Sequence, residues 1–238
     1  MDLGLQGRRY VVTGGSRGLG LATARALAAD GARTWLVARH ADRLREAAES
    51  LGPDHGFTAI DVAVEGAAEA IADAVGPIDG VLVNVGGPPA GGTLDLSDAQ
   101  WREAIDGVLL ATVRVLRTLS AQVVEGGSIL VVLSTTAREP IAGLGASNAL
   151  RPGLAMVVKE LSNTLAPAIR VNGIMPGRIA TDRLMAVASG DVGEGVPLGR
   201  VGEPAEFGRV AAFLLSPAAS YVTGAILAVD GGLLRSAR

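Results

Sequence analysis

The sequence has no cysteine, one lysine, two histidines and two tyrosines. Each scarcity removes a class of chemistry. Without cysteine there is no disulfide, no thiolate nucleophile and no cysteine-ligated zinc. His40 and His55 lack metal-ligand spacing, so no metal site is expected. Lys159, Tyr10 and Tyr221 stand against twenty arginines, which limits the side chains able to do proton chemistry. A net charge of −3 gives no electrostatic case for nucleic acid or an anionic membrane. The N-terminus shows no basic region followed by an apolar run, and no apolar stretch reaches the roughly 18–20 residues a bilayer requires. A cytoplasmic protein is the resulting expectation. The length of 238 residues suits one α/β domain over 1–238, closed around a continuous core.

What the chain does have is glycine, concentrated first at Thr13-Gly14-Gly15-Ser16-Arg17-Gly18-Leu19-Gly20. A short apolar run from Arg8 to Val12 leads in, and an Ala/Leu-rich helical pattern from Leu21 to Asp30 leads out. A strand, a glycine turn and a helix start make a phosphate cradle, because the backbone turns tightly and the helix N-terminus offers unpaired N–H groups. A nucleotide is the expected ligand.

Strand and helix patterns then alternate. Strands are predicted at Arg33 to Ala38, Gly56 to Val62, Ile78 to Asn84, Ser128 to Leu133, Ile169 to Met175 and Ala225 to Val229. Helices are predicted at Ala41 to Leu51, Ala63 to Val75, Ser97 to about Val124, from near Asn148 or Pro152 to Leu165, and from Pro204 to Leu215. Right-handed crossovers make this a doubly wound, Rossmann-type parallel sheet of about seven strands with helices on both faces. Arg39 stands just past the second strand, where such folds read the adenosine ribose: an acid holds the 2′-OH and an arginine favours a 2′-phosphate. Ala38 supplies no acid, and Arg17 in the glycine turn can reach the same phosphate. Either arginine alone also reads as a solvated surface charge.

The T-G-x-x-x-G-x-G turn, Asn84 with Val85-Gly86-Gly87, Arg170-Val171-Asn172, Pro176-Gly177 and the Gly224 to Gly232 ending resemble the short-chain dehydrogenase/reductase family over nearly the whole chain. They are closest in pattern to bacterial 3-oxoacyl-carrier-protein reductases. The resemblance implies NADP(H) as cofactor, held along the turn by Gly14, Ser16, Arg17, Gly18, Leu19 and Gly20. It places Arg39, Asp61 and Val62 at the adenosine end. Asn84 and Gly86 lie near the ribose, and Pro176, Gly177, Ile179 and Thr181 hold the carboxamide. It also implies a homodimer or homotetramer, with a small molecule as substrate.

The family's chemistry uses a Ser, a Tyr thirteen residues on, a Lys four further, and an Asn in the preceding long helix. Along the unbroken stretch from Gly127 to Leu154, Ser134 matches the Ser. Ser147 stands at the Tyr position, Arg151 at the Lys position and Val108 at the Asn position. No Y-x-x-x-K occurs anywhere in the chain. Ser134, Ser147 and Arg151 are therefore the candidate catalytic residues. A guanidinium stays protonated and stabilises an oxyanion or clamps a carboxylate, so proton delivery falls to water or to the two serines. Ser147 also reads as a helix cap, and Arg151 as a solvent or interface charge. Pro152 adds a constraint, since the residue before a proline is biased away from helix. The motif Thr181-Asp182-Arg183-Leu184 resembles a divergent subgroup of reductase-like proteins.

Three functions compete at this point. One is an NADP(H)-dependent oxidoreductase on a carbonyl or hydroxyl compound with a modified site. Another is a nucleotide-binding or sensing protein without turnover. The third is a dehydratase, lyase or isomerase in which Arg151 polarises the substrate. The glycine-rich Ser189 to Gly195 reads as a short lid.

Overall fold

A computed structural model describes residues 2–187 and 192–236. The chain runs β1 (Arg9–Thr13), α1 (Gly18–Ala29), β2 (Arg33–Ala38), α2 (Ala41–Leu51), β3 (Gly56–Ala59), α3 (Ala67–Val75) and β4 (Ile78–Val83). It continues with α4 (Asp98–Ala104), α5 (Ala111–Leu119), β5 (Val123–Val132), α6 (Gly145–Thr164) and β6 (Ile169–Pro176). The last elements are α7 (Asp182–Val187), α8 (Pro204–Leu215) and β7 (Ile226–Val229). The seven strands form one sheet in the order β3-β2-β1-β4-β5-β6-β7, with every pair parallel.

Strand periodicity divides the core into two layers. Tyr10, Val12, Leu82, Leu130 and Val132 face α1, α2 and α8. Their neighbours Val11, Val81, Val83, Ile129 and Val131 face α3, α5 and α6. Because β1 pairs with β2 on one side and β4 on the other, the sheet switches direction between β1 and β4. The crevice above such a switch is where ligands of open parallel sheets bind. Among the described residues, no helix is long and apolar enough to cross a membrane.

The structure corrects several boundaries. The helix expected from Ser97 to about Val124 is α4, a π-helical segment Ile105–Leu110, and α5 ending at Leu119. Val123 already pairs with Ile78, so the strand starts there rather than at Ser128. Gly126 (φ 79°) and Gly127 lie inside the strand where its register shifts, instead of ending the helix. The third strand stops at Ala59, because Asp61 Oδ1 accepts the Ala63 N–H at 3.0 Å and turns the chain. The helix after it starts at Ala67 rather than Ala63.

The helix α6 begins at Gly145 and carries both Arg151 and Pro152 inside it. Tertiary bonds override the local bias against helix before proline. Gly145 N–H donates to the Gly91 carbonyl at 2.8 Å, and the Asn148 side chain makes two hydrogen bonds, 3.0 and 2.9 Å, to the Ile141 backbone. α7 has no counterpart among the predicted helices. Residues 189–191 of the expected lid lie outside the described residues.

Candidate active site

The C-terminal ends of the strands bring together segments far apart in sequence. Thr13 Oγ1 accepts the Asn84 N–H at 2.7 Å, which ties the end of β1 to the end of β4. Gly14 (φ 63°) then turns under Asn84. A Cβ there would stand 2.6 Å from Asn84 Nδ2, and one on Gly20 would collide with the Gly14 carbonyl. These two positions therefore need glycine, and α1 packs close against the strand end as a result.

The turn after β6 lies against the same place. A Cβ on Gly18 would be 3.5 Å from the Thr181 methyl group, so Thr181 sits over the glycine turn. Arg17 Nη1 pairs with Asp182 Oδ2 at 2.8 Å, both side chains being exposed. Pro176 and Gly177 leave the sheet edge, where Gly177 N–H donates to the Val229 carbonyl at 2.9 Å. Ile179 is buried and bridges to Gly202. Arg39 stands 3.9 Å from Asp61, next to Val62. Ser16 and Leu19 are half-buried in the turn, and the space over Gly86 is open to 4 Å. The residues expected to hold a dinucleotide thus follow the C-terminal ends of β1, β2, β3, β4 and β6, on one end of the parallel sheet.

The three candidate catalytic residues lie at the C-terminal end of β5. Ser134 follows β5, and its Oγ accepts the Thr136 N–H at 3.2 Å. Thr136 Oγ1 lies 2.9 Å from Ser147 Oγ, on the first turn of α6. Thr136 therefore links the two serines, a residue that sequence reasoning passed over. Its signal was a hydroxyl two residues beyond Ser134, a short spacing that allows such a turn. Arg151, one helical turn after Ser147, is only 6% exposed and donates Nη1–H to the Val132 carbonyl at 2.8 Å. Its Nε is buried, with no hydrogen-bond partner among the described residues. Burial, then the like charge of Arg183, push its pKa down to about 10, so it remains a cation at neutral pH. The π-helical segment Ile105–Leu110 holds Val108, buried and without a side-chain polar atom, at the position expected to carry Asn.

A family model described as enoyl-(acyl carrier protein) reductase matches residues 14–234. The chain is also 36% identical to a galactitol 2-dehydrogenase (L-tagatose-forming) of Cereibacter sphaeroides, over 96% of this chain and 95% of that one. The chain belongs to the short-chain dehydrogenase/reductase family. Solved short-chain dehydrogenase/reductase structures agree. L-sorbose reductase from Gluconobacter frateurii, complexed with NADPH and L-sorbose, is 32% identical at a TM-score of 0.90, covering 99% and 100% of the two chains. An NADPH-bound short-chain oxidoreductase from Pseudomonas aeruginosa PAO1, described as containing an atypical catalytic center, is 30% identical at a TM-score of 0.90, covering 97% and 98%.

Short-chain dehydrogenases/reductases use a nicotinamide dinucleotide, and the chain's own atoms fit one. The helix α1 starts with Arg17 extended as N-cap, with no side-chain cap and no acid in its first turn. Its first intrahelical bond is Leu21 N–H to Arg17 carbonyl at 3.3 Å, so the N–H groups of Gly18, Leu19 and Gly20 have no helical acceptor. Those donors suit a phosphate. At the other end, the orphaned Nε of Arg151 suits a ribose or substrate oxygen.

Proposed function

We propose that this protein is an NADP(H)-dependent oxidoreductase acting on a small carbonyl or hydroxyl compound, with Ser134, Ser147 and Arg151 in place of the usual Ser-Tyr-Lys. The observation that carries the reading is the buried, cationic Arg151, whose Nε has no partner among the described residues. A buried cation left unsatisfied is costly, and a bound oxygen relieves it. The atypical center described for the Pseudomonas aeruginosa relative supports the same reading.

The glycine turn, with Ser16, Leu19 and the α1 N-terminus, binds the cofactor phosphates. Arg17 and Arg39 select a 2′-phosphate, beside Asp61 and Val62. Asn84 and Gly86 border the ribose, and Pro176, Gly177, Ile179 and Thr181 seat the nicotinamide end. Bound NADPH supplies a hydride. Arg151 and Ser134 orient the substrate carbonyl and stabilise negative charge developing on its oxygen. A proton reaches that oxygen from water through the hydroxyl of Ser134 or Ser147, which donates as it accepts, while Thr136 holds the two serines with its N–H on Ser134 Oγ and its Oγ1 2.9 Å from Ser147 Oγ. None of these hydroxyls needs to ionise. The whole of 1–238 acts as one domain, and we expect a cytoplasmic homodimer or homotetramer, as the family resemblance implies.

The test is a fluorescence titration with NADPH followed by a carbonyl panel with NADPH oxidation as readout. Steady oxidation with at least one carbonyl supports the proposal. Tight binding without turnover across the panel would make the protein a binding module, and product without cofactor consumption would make it a lyase or isomerase.

A further inference from the structure

A second arginine reaches the segment on which the helix of Arg151 begins: Gly91 of that segment accepts the Gly145 N–H and donates to the Gly143 carbonyl, each at 2.8 Å. Arg183, on α7, is exposed as a whole residue, but its guanidinium end lies against Gly87, where any Cβ would collide with it. Its Nη2 donates to the Pro88 carbonyl at 3.2 Å, so the side chain spans from the segment after β6 to the segment after β4. Desolvation there lowers its pKa. Among the described residues it makes no ion pair, because the adjacent Asp182 is taken by Arg17 at 2.8 Å. Arg183 is also the one charged group acting on Arg151, where it disfavours the cation.

Two guanidiniums thus belong to elements tied to the same segment after β4, one of them buried with an Nε unpartnered among the described residues, where no carboxylate pairs with either. Like charges in a site of reduced dielectric repel, and an anion between them turns the repulsion into two attractions. Resting on the oxidoreductase reading, we infer that the substrate is an oxo or hydroxy acid, whose carboxylate docks on Arg183 while its carbonyl meets Arg151 and Ser134. The alternative anion is the cofactor pyrophosphate. The α1 N-terminus already provides N–H donors for that group, and the Arg183 guanidinium is bonded to the Pro88 carbonyl. A planar fork holds a carboxylate through two parallel hydrogen bonds, which an ester cannot accept with the same charge.

The experiment compares levulinate with methyl levulinate, and 3-oxobutanoate with its methyl ester. Calorimetric titration of the full chain is run with and without saturating NADPH, and NADPH oxidation is followed in parallel. Binding of each acid at least tenfold tighter than its ester, with that ratio collapsing toward one in Arg183→Gln and partly kept in Arg183→Lys, supports the inference. Equal affinities, no binding of either probe, or a ratio that survives Arg183→Gln overturns it. So does an Arg183→Gln variant that loses NADPH affinity while keeping the acid preference, since that assigns the arginine to the cofactor. Absence of NADPH binding or oxidation with the acid preference intact counts against the oxidoreductase reading alone. Circular dichroism of both variants checks that α7 changes leave the fold in place.

Discussion

Arg151 donates Nη1–H to the carbonyl of Val132 at 2.8 Å, so the guanidinium caps the end of β5 with one edge and leaves its Nε without a partner among the described residues. The bond binds α6 to the sheet. It also fixes the orientation of a charge that the protein core gains nothing by burying.

Replacing Arg151 by Met separates these two roles. The change removes the buried charge and keeps most of the volume, at the cost of an unsatisfied carbonyl worth about 1–3 kcal/mol. Thermal unfolding should therefore shift by only a few degrees, whereas kcat/KM should fall about a hundredfold or more, as for a lost oxyanion donor. Arg151→Lys should recover part of the rate, a point charge being a poor copy of a planar fork. Unchanged kcat/KM in Arg151→Met would sink the assignment.

The pH profile should carry the mark of the same group. Arg151 keeps its proton below about 10 and loses it above, since burial has lowered its pKa from the usual arginine value. Oxyanion stabilisation is thus fully present at neutral pH and disappears as the pH rises through that value. A kcat/KM profile for reduction should be flat from about 6 to 9 and decline near 10, because neither serine titrates in this range. A break near neutrality would point to a different acid.

Cofactor preference should follow the two exposed arginines. NADPH is expected to bind at least tenfold tighter than NADH, a difference of about 1.4 kcal/mol. Arg39→Asp should erase most of the gap by placing a repeller beside the phosphate. Asp182→Asn should tighten NADPH alone, since it frees Arg17 from its 2.8 Å partner. Fluorescence titrations giving NADH the higher affinity in the native protein contradict this assignment.

The shared hold of Thr136 predicts non-additivity. Its N–H donates to Ser134 Oγ at 3.2 Å and its Oγ1 lies 2.9 Å from Ser147 Oγ, so losing either serine loosens one common arrangement. Ser134→Ala with Ser147→Ala should cost less in kcat/KM than the two single losses multiplied, and Thr136→Val should lower kcat alongside them. Multiplicative losses would show that the serines act separately.

Stability has its own pH signature at the start of α8. Glu206 accepts both Arg200 Nη1 and Nη2 at 2.8 Å and the Glu203 N–H at 2.8 Å, and these bonds, led by the Arg200 side chain, hold its pKa down to about 2. A carboxylate depressed in the folded state stabilises it above its unfolded pKa and loses that effect as the pH falls through the folded value. Glu206→Gln should lower Tm at neutral pH, and the difference from the native protein should shrink as the pH drops from about 4.5 toward 2. A constant difference across that range would assign the effect to packing.

Most of the fold was legible because buried parallel strands announce themselves as short apolar runs, and the glycine turn fixes where the first one ends. The errors cluster where tertiary contacts overrode local pattern. Val123 and Val124 continue the helical period of α5, yet Val123 pairs with Ile78 and belongs to the sheet. The pattern left the helix start open between Asn148 and Pro152, and the bonds from Gly145 and Asn148 begin α6 at Gly145, ahead of both. Ser134, Ser147 and Arg151 were proposed from spacing alone. Thr136 was not, since a threonine beside a strand end has no distinctive pattern until the chain has folded. Arg183 stood inside a noted motif, but only the crossing from α7 to Gly87 shows which cation it opposes.

The strand order β3-β2-β1-β4-β5-β6-β7 has a consequence for a chain emerging from the ribosome. As each strand is synthesised, the edge it joins already exists: β2 adds to β1, β3 to β2, β4 to the other side of β1, and each later strand to its predecessor. No strand has to be threaded between two that have already paired. The sheet can therefore grow outward at the pace of translation, and only the transient outermost edge waits uncovered for the next segment.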